Sequence, residues 1–270
     1  MFRISHIVGF GLCVVLSYLY YSVFLLPDQT IDRSPTDFKA EMERFRALGH
    51  SAFVLGYSGV SGKALVMELN KAKIFKKVVL IGRREIQLDV GPEFEQKVVN
   101  FDKLEEYKDA FQGLDTGFCC LGVPSGGGIS REDYIRITRD YCVSAAQIAK
   151  EKGCKHFTLV TGGGTKKTSW YLFGRVKAEL EERVEEMNFD RLSIFRPGLI
   201  LGDRQETRAA DTFFKIFFKP IIYLFPALLS IPDNVFARGM IVNAVRPPSS
   251  PVREIIENKA IHQMAKSWTD

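Results

Sequence analysis

Glycines 56, 59 and 62 stand at G-x-x-G-x-x-G spacing, behind the apolar run Ser51–Leu55 and ahead of a helical pattern at 63–73. That context gives the spacing a chemistry. The first glycine permits a tight exit from a strand, the second lets backbone approach a pyrophosphate, and the third lets the helix pack close, its N-terminal N–H groups facing the anion. Tyr57, Ser58, Val60 and Ser61 complete the loop, and the hydroxyls of Tyr57 and Ser58 are candidate extra donors. At the end of the next strand an NAD(H) site carries an acid for the ribose 2′-hydroxyl, but this chain has Gly82-Arg83-Arg84. Two guanidiniums suit a 2′-phosphate, so the expectation is NADP(H). The competing reading is a pair of basic residues capping a strand in solvent.

Further along, Asn100-Phe101-Asp102 follows the third predicted strand, where a doubly wound sheet lines an adenine pocket; the amide and carboxylate suit the exocyclic amine. Leu121-Gly122 ends the fourth, and Gly122 lets backbone pass close to the ribose. Glycine triplets at 126–128 and 162–164 follow the fourth and fifth strands, at the sheet edge where ligands bind, and are expected to order over a cofactor. The four histidines are scattered, and Cys13, Cys119, Cys120, Cys142 and Cys154 have neither metal-ligand nor disulfide-framework spacing, so no metal is expected.

These residues need a scaffold. Short apolar runs at 51–55, 78–81, 97–99, 117–121, 156–160 and 192–195 alternate with helical patterns at 63–73, 103–111, 131–152 and 170–187. Such alternation predicts an α/β fold: a Rossmann-like doubly wound parallel sheet, single domain, over residues 50–270. A chain of 270 residues, 46% hydrophobic and 26% charged, can bury one large core and is neither disordered, fibrous nor a disulfide miniprotein. Its net charge of +5 mixes both signs throughout, and the acidic run at 179–186 reads as a solvated helix face, so no nucleic-acid partner is expected.

Residues 4–26 are a different solvent's worth of sequence, with no Asp, Glu, Lys or Arg. As a helix they extend about 34 Å, enough for a hydrocarbon core of about 30 Å. Residues 1–27 are therefore read as an N-terminal transmembrane helix, too long an apolar run for a secretory h-region. Residues 28–49 are a linker leading into a charged helix at 36–48. Arg33, Lys39, Arg44 and Arg46 follow the span and Arg3 precedes it, which favours a body facing the cytosol. A second apolar stretch at 213–229 holds Pro220, Pro226 and two lysines, so a lid or core helix pair is expected there, with membrane-surface docking as the alternative.

Several segments resemble the Tat-interacting protein oxidoreductase family of atypical short-chain dehydrogenases/reductases. They are the glycine turn, Leu80-Ile81-Gly82-Arg83-Arg84, Gly117-Phe118-Cys119-Cys120-Leu121-Gly122, Phe195-Arg196-Pro197-Gly198, Asp203-Arg204-Gln205-Glu206 and Glu257-Asn258-Lys259-Ala260-Ile261-His262. The resemblance covers residues 50–265 and leaves the anchor outside. It implies a turn at Arg196, Pro197 and Gly198 beside the carboxamide end of the nicotinamide. It also implies protein partners such as nuclear transport receptors. The fungal relatives suggest the mitochondrial outer membrane, the endoplasmic reticulum being the other candidate membrane and cytoplasm with nucleus the alternative.

The superfamily's usual proton relay is Tyr-x-x-x-Lys with a Ser or Thr, the lysine lowering the tyrosine pKa. Here Lys177 is present, but Phe173 holds the tyrosine position. Tyr171 lies about 120° from Lys177 around a regular helix, so it substitutes only if the chain before Leu172 is non-helical. Thr161 holds the hydroxyl position. The expectation is an NADPH-binding, redox-sensing regulatory protein with weak or no turnover; the alternative is an active NADPH-dependent reductase of a lipophilic carbonyl using Tyr171, Thr161 and Lys177.

Overall fold

A computed structural model describes residues 38–123, 128–202, 229–247 and 252–268. The chain divides into units 1–34 and 35–270, and every described residue belongs to the second. The anchor at 4–26, the linker, Gly126 and Gly127, Asp203 to Glu206 and the apolar stretch up to residue 228 lie outside the described residues. Among those described, no helix is long and apolar enough to cross a membrane.

The order of elements is helix α1 (Phe38–Ala47), β1 (Ser51–Leu55), α2 (Val60–Ala72), β2 (Lys77–Gly82) and β3 (Phe94–Val98), then a 3₁₀ segment Phe101–Phe111 and β4 (Thr116–Cys119). Next, α3 (Arg131–Ile135) runs through a π-helical turn, Arg136–Asp140, into α4 (Tyr141–Glu151). Then come β5 (His156–Val160), α5 (Leu172–Glu185), β6 (Arg191–Arg196), β7 (Leu199–Leu201), β8 (Ser230–Pro232), α6 (Asp233–Val245), β9 (Arg253–Glu257) and α7 (Asn258–Ala265).

Seven strands form one parallel sheet in the order β3-β2-β1-β4-β5-β6-β9, with β7 and β8 paired apart from it. This is the expected doubly wound α/β sheet, reversing between β1 and β4, which is where such sheets take their ligands. Central strands are apolar on both faces because helices cover both. Phe53 and Leu55 join a core with Phe111, Ala145, Ile148, Leu180 and Val184 on one side. Alternation sends Ala52 and Val54 to the other side, where α2 packs against α6 and α6 against α7. A Glu68–Arg238 ion pair of 2.9 Å ties α2 to α6. At the amino edge, His156 Nε2 lies 2.9 Å from Ser193 Oγ, which donates to Glu254 at 2.7 Å. Arg191 and Asn243 hold the same carboxylate, a buried polar lock across β5, β6 and β9.

Candidate functional site

The loop between β1 and α2 is built by close approach. Gly56 has φ +75°, and a Cβ there would lie 2.7 Å from the Cys120 carbonyl oxygen. A Cβ on Gly62 would lie 2.3 Å from the Gly56 carbonyl oxygen, so only glycine lets α2 start this near the strand. Gly59 is the N-cap of α2, with no side-chain cap and no acidic residue in the first turn. The first intrahelical bond is Lys63 N to Gly59 O at 2.8 Å, so the amides of Val60, Ser61 and Gly62 at the helix mouth suit a phosphate. Ser58 is exposed beside them.

Tyr57 does something other than the expected donation to phosphate. Its side chain is 1% exposed and runs beneath β2, where a Cβ on Gly82 would come within 2.6 Å of the ring. Its hydroxyl sits 2.6 Å from the Arg84 carbonyl and 2.7 Å from Gln96 Oε1. Gln96 in turn bonds both backbone groups of Ile86. Tyr57 is therefore a brace that shapes the Arg83-Arg84 turn. Both arginines are exposed, and among the described residues neither forms an ion pair.

The adenine expectation is altered as well. Asn100 caps the 3₁₀ segment by accepting from Asp102 N at 3.0 Å. Asp102 accepts from the Tyr141 hydroxyl at 2.6 Å and lies 3.6 Å from Arg136, so one of its oxygens is already held. Phe101 is buried in the core, its ring stacked on Tyr141, so its side chain offers no face to a base.

At the other side of the switch point, Leu121 and Gly122 carry β4 past Lys177, whose Nζ would lie 3.4 Å from a Cβ on Gly122. Lys177 is 5% exposed. Its Nζ donates one long bond of 3.4 Å to the Val160 carbonyl and sits 5.8 Å from the Phe173 ring centroid. Burial pushes its pKa down, with the thiols of Cys142 and Cys119 and the Glu181 carboxylate working the other way. An ammonium has three donors, so this one is short of acceptors among the described residues. Ribose hydroxyls at the end of β4 would supply them, and the helix mouth supplies the phosphate contacts; the residues present fit a dinucleotide.

Proton transfer fits less well. Phe173 Cζ comes within 3.0 Å of a Cβ built on Gly162, so its ring borders both the glycine loop and Lys177. Thr161 is not free to polarise a carbonyl: its hydroxyl donates to Glu181 Oε1 at 2.7 Å, and a hydroxyl has one proton to give. Glu181, expected on a solvated face, is 4% exposed and also binds Arg196 at 2.5 and 3.0 Å. Arg196 reaches Glu257 as well, at 3.3 Å, so three of its five N–H donors are held by carboxylates and its guanidinium acts as an internal strut. The rest of that turn ties the sheet edge together: Pro197 O accepts from Gly163 N at 2.8 Å, and Gly198 N donates to Asn258 Oδ1 at 2.8 Å.

Tyr171 is the N-cap of α5, with extended backbone at φ −103° and ψ 146°. The condition for it to approach the site is met, because the helix starts at Leu172. Its ring stacks on Phe173 at 6.1 Å and 12°, while its hydroxyl donates to the Gly164 carbonyl at 3.3 Å. The sequence reading passed over Glu181. Glu181 was legible as the residue one turn beyond Lys177, on the same face.

No protein-family profile matches the chain. Protein HTATIP2 of Rattus norvegicus is 42% identical over 226 residues, 83% of this chain and 93% of that protein. Protein FMP52-2, mitochondrial, of Scheffersomyces stipitis is 29% identical over 80% of this chain and 97% of its own length. Among solved structures, UDP-glucuronic acid 4-epimerase from Bacillus cereus in complex with NAD superposes with TM-score 0.61 at 16% identity, covering 77% of this chain and 78% of that one. MoeE5 in complex with UDP-glucuronic acid and NAD gives 0.59 at 14%, covering 77% and 75%. At such identities these two speak for the fold alone. The sequence relationship over nearly the whole of the rat protein decides the family: the chain belongs to the Tat-interacting protein (HTATIP2) family of short-chain-dehydrogenase-like, NAD(P)-binding oxidoreductases.

Proposed function

We propose that the chain is a membrane-tethered protein that binds NADPH and responds to its redox state, with weak or no turnover through the usual relay. The observation that carries this is the contrast within one site. The phosphate loop and the buried, acceptor-poor Lys177 are complete, whereas Phe173 replaces the phenol and the Thr161 hydroxyl is committed to Glu181. Arg83 and Arg84, exposed and without an ion pair among the described residues, support NADPH over NADH, because a 2′-phosphate gives them a partner. The span at residues 4–26 supports the tether, and the basic residues after it support a body facing the cytosol. The mitochondrial designation of the FMP52 relatives favours that organelle's surface over the endoplasmic reticulum. Protein partners, nuclear transport receptors among them, belong to the same proposal.

When bound, NADPH supplies reducing equivalents; the glycine loop and Lys177 would hold it, and among the described residues no phenol is positioned beside Lys177. The test is titration of the full chain with NADPH and with NADH, followed by oxidation assays with a panel of aldehydes and ketones. Tighter NADPH binding with oxidation near background is expected. Failure to bind either nucleotide refutes the proposal. Brisk oxidation that is lost in Tyr171→Phe favours the second reading, a reductase of lipophilic carbonyls, which the non-helical backbone of Tyr171 supports.

A further inference from the structure

Helix α1 uses two of its faces. Phe38 and Phe45, two turns apart, are buried, Phe38 against Trp268 at 5.8 Å and Phe45 edge-on to Phe75 at 5.4 Å. Lys39, Met42, Glu43 and Arg46, spaced i, i+3, i+4 and i+7, make a second stripe. This stripe walls one side of a cleft of about 430 Å³, closed by Lys71 and Ala72 at the end of α2 and by the half-buried indole of Trp268. Small-molecule pockets start at about 300 Å³, so the cleft can hold a ligand.

Two chemistries meet in it. Met42, Ala72 and the Trp268 ring are its apolar part, with the Arg238 guanidinium 5.5 Å from the ring centroid. Cations supply the rest. Arg46 gives two of its five N–H donors to the Ala72 and Lys73 carbonyls, both at 2.9 Å, which neutralises the end of α2 and leaves three donors outside those bonds. The Lys71 side chain is 61% exposed, and its partner Glu68, at 2.7 Å, is shared with Arg238. Lys39, Arg46, Lys71 and Arg238 thus stand against Glu43 and Glu68, four cations to two carboxylates.

An anion with an apolar part suits this better than a bare anion: phosphate oxygens find Lys and Arg, and the carbons behind them find Trp268 and Met42. Tryptophan among basic residues is also the pairing favoured where protein meets membrane and water. Twelve residues separate the end of the span at residue 26 from Phe38, about 40 Å at full extension, so the tether lets the body meet lipid headgroups.

We infer that the cleft between α1, the end of α2 and Trp268 binds the phosphate headgroup of an anionic phospholipid, a second hold on the membrane. The inference rests on the tether proposed above and is independent of the nucleotide site.

The test uses the full chain in nonionic detergent. Trp170→Phe leaves Trp268 as the remaining tryptophan, and its emission is followed. Dihexanoyl phosphatidic acid should shift that emission to shorter wavelength, saturably and about tenfold or more tighter than dihexanoyl phosphatidylcholine, while inorganic phosphate and a glutamate hexapeptide leave it unchanged. Lys39→Gln with Lys71→Gln should weaken the phosphatidic acid response about tenfold. Lys103→Gln with Lys155→Gln, which removes the same charge outside the cleft, should not. Flotation with vesicles of pure phosphatidylcholine reads the tether separately. Flotation without a Trp268 response refutes the cleft and spares the tether; a Trp268 response without flotation refutes the tether and spares the cleft. Equal responses to the two lipids, a matching response to phosphate or peptide, or equal losses in the two double variants overturn the inference.

Discussion

Replacing Glu181 by leucine should unhinge the sheet edge behind Lys177. The carboxylate accepts from Thr161 and from two nitrogens of Arg196, and the Glu181 and Arg196 side chains are 5% and 19% exposed. Removing one partner of a buried pair costs about 3–5 kcal/mol, since the remaining charge is stranded. Arg196 keeps a bond to Glu257, which is half exposed, so the lower end, about 3 kcal/mol, is expected. For a body of this size each kcal/mol moves the melting temperature by about 2–4 °C, giving a loss of about 6–12 °C. Urea melts of the single variants and of Glu181→Leu/Arg196→Met supply the assay. Each single substitution should cost about 3 kcal/mol, whereas the pair together should cost much less than the sum, with a coupling of about 2 kcal/mol or more. A single-variant loss under about 1 kcal/mol, or strict additivity, would mean that Glu181 is solvated after all.

Phe173→Tyr restores a phenol beside Lys177 and should raise NADPH oxidation with aromatic ketones at least about tenfold; an unchanged rate refutes the placing of residue 173 at the relay's phenol position. Arg83→Gln with Arg84→Gln should weaken NADPH binding about tenfold or more and leave NADH binding unaltered, as measured by fluorescence titration. Gly62→Ala has no room for its Cβ, 2.3 Å from the Gly56 oxygen, and should abolish nucleotide-induced thermal stabilisation. His156 is held neutral, its pKa pushed well below 6.5 by burial and then by Arg191. A depressed folded pKa means stability is full above pH 6.5 and declines as pH falls toward the folded value, by up to about 1.4 kcal/mol per pH unit for one proton. Denaturant melts between pH 7 and 5 should show that slope, and His156→Gln should flatten it.

How much of this was legible depends on what each residue's neighbours in sequence reveal. β1 and β5 begin and end where their apolar runs do, because both faces are covered. β3 was expected at 97–99 and starts instead at Phe94: as an edge strand carrying Glu95, Gln96 and Lys97 half in solvent, it has no apolar run to read. The glycine loop was legible from spacing alone, but the fate of Tyr57 was not. Only the pairing of β1 with β2 places Gly82 over its ring. Thr161 was legible as a position but not as one whose proton is already committed, since its acceptor Glu181 lies twenty residues on, in a run of glutamates that looks uniformly solvated.

Lys177 and Phe173 together argue for retention of a binding site after its chemistry has changed. A buried ammonium with one long hydrogen bond is a net burden on the folded chain, and a ring over it returns only part of the lost hydration. If the site served packing alone, a methionine at 177 would fill the same space without that penalty. The lysine makes sense where a ligand completes its donor set, and the end of β4 is where a nucleotide ribose lies in this fold. The phenylalanine makes sense on the same terms: it keeps the shape of the aromatic wall while removing the proton. With the phosphate loop beside it and no phenol in the wall, any reaction at a ligand bound next to Lys177 depends on a proton from elsewhere.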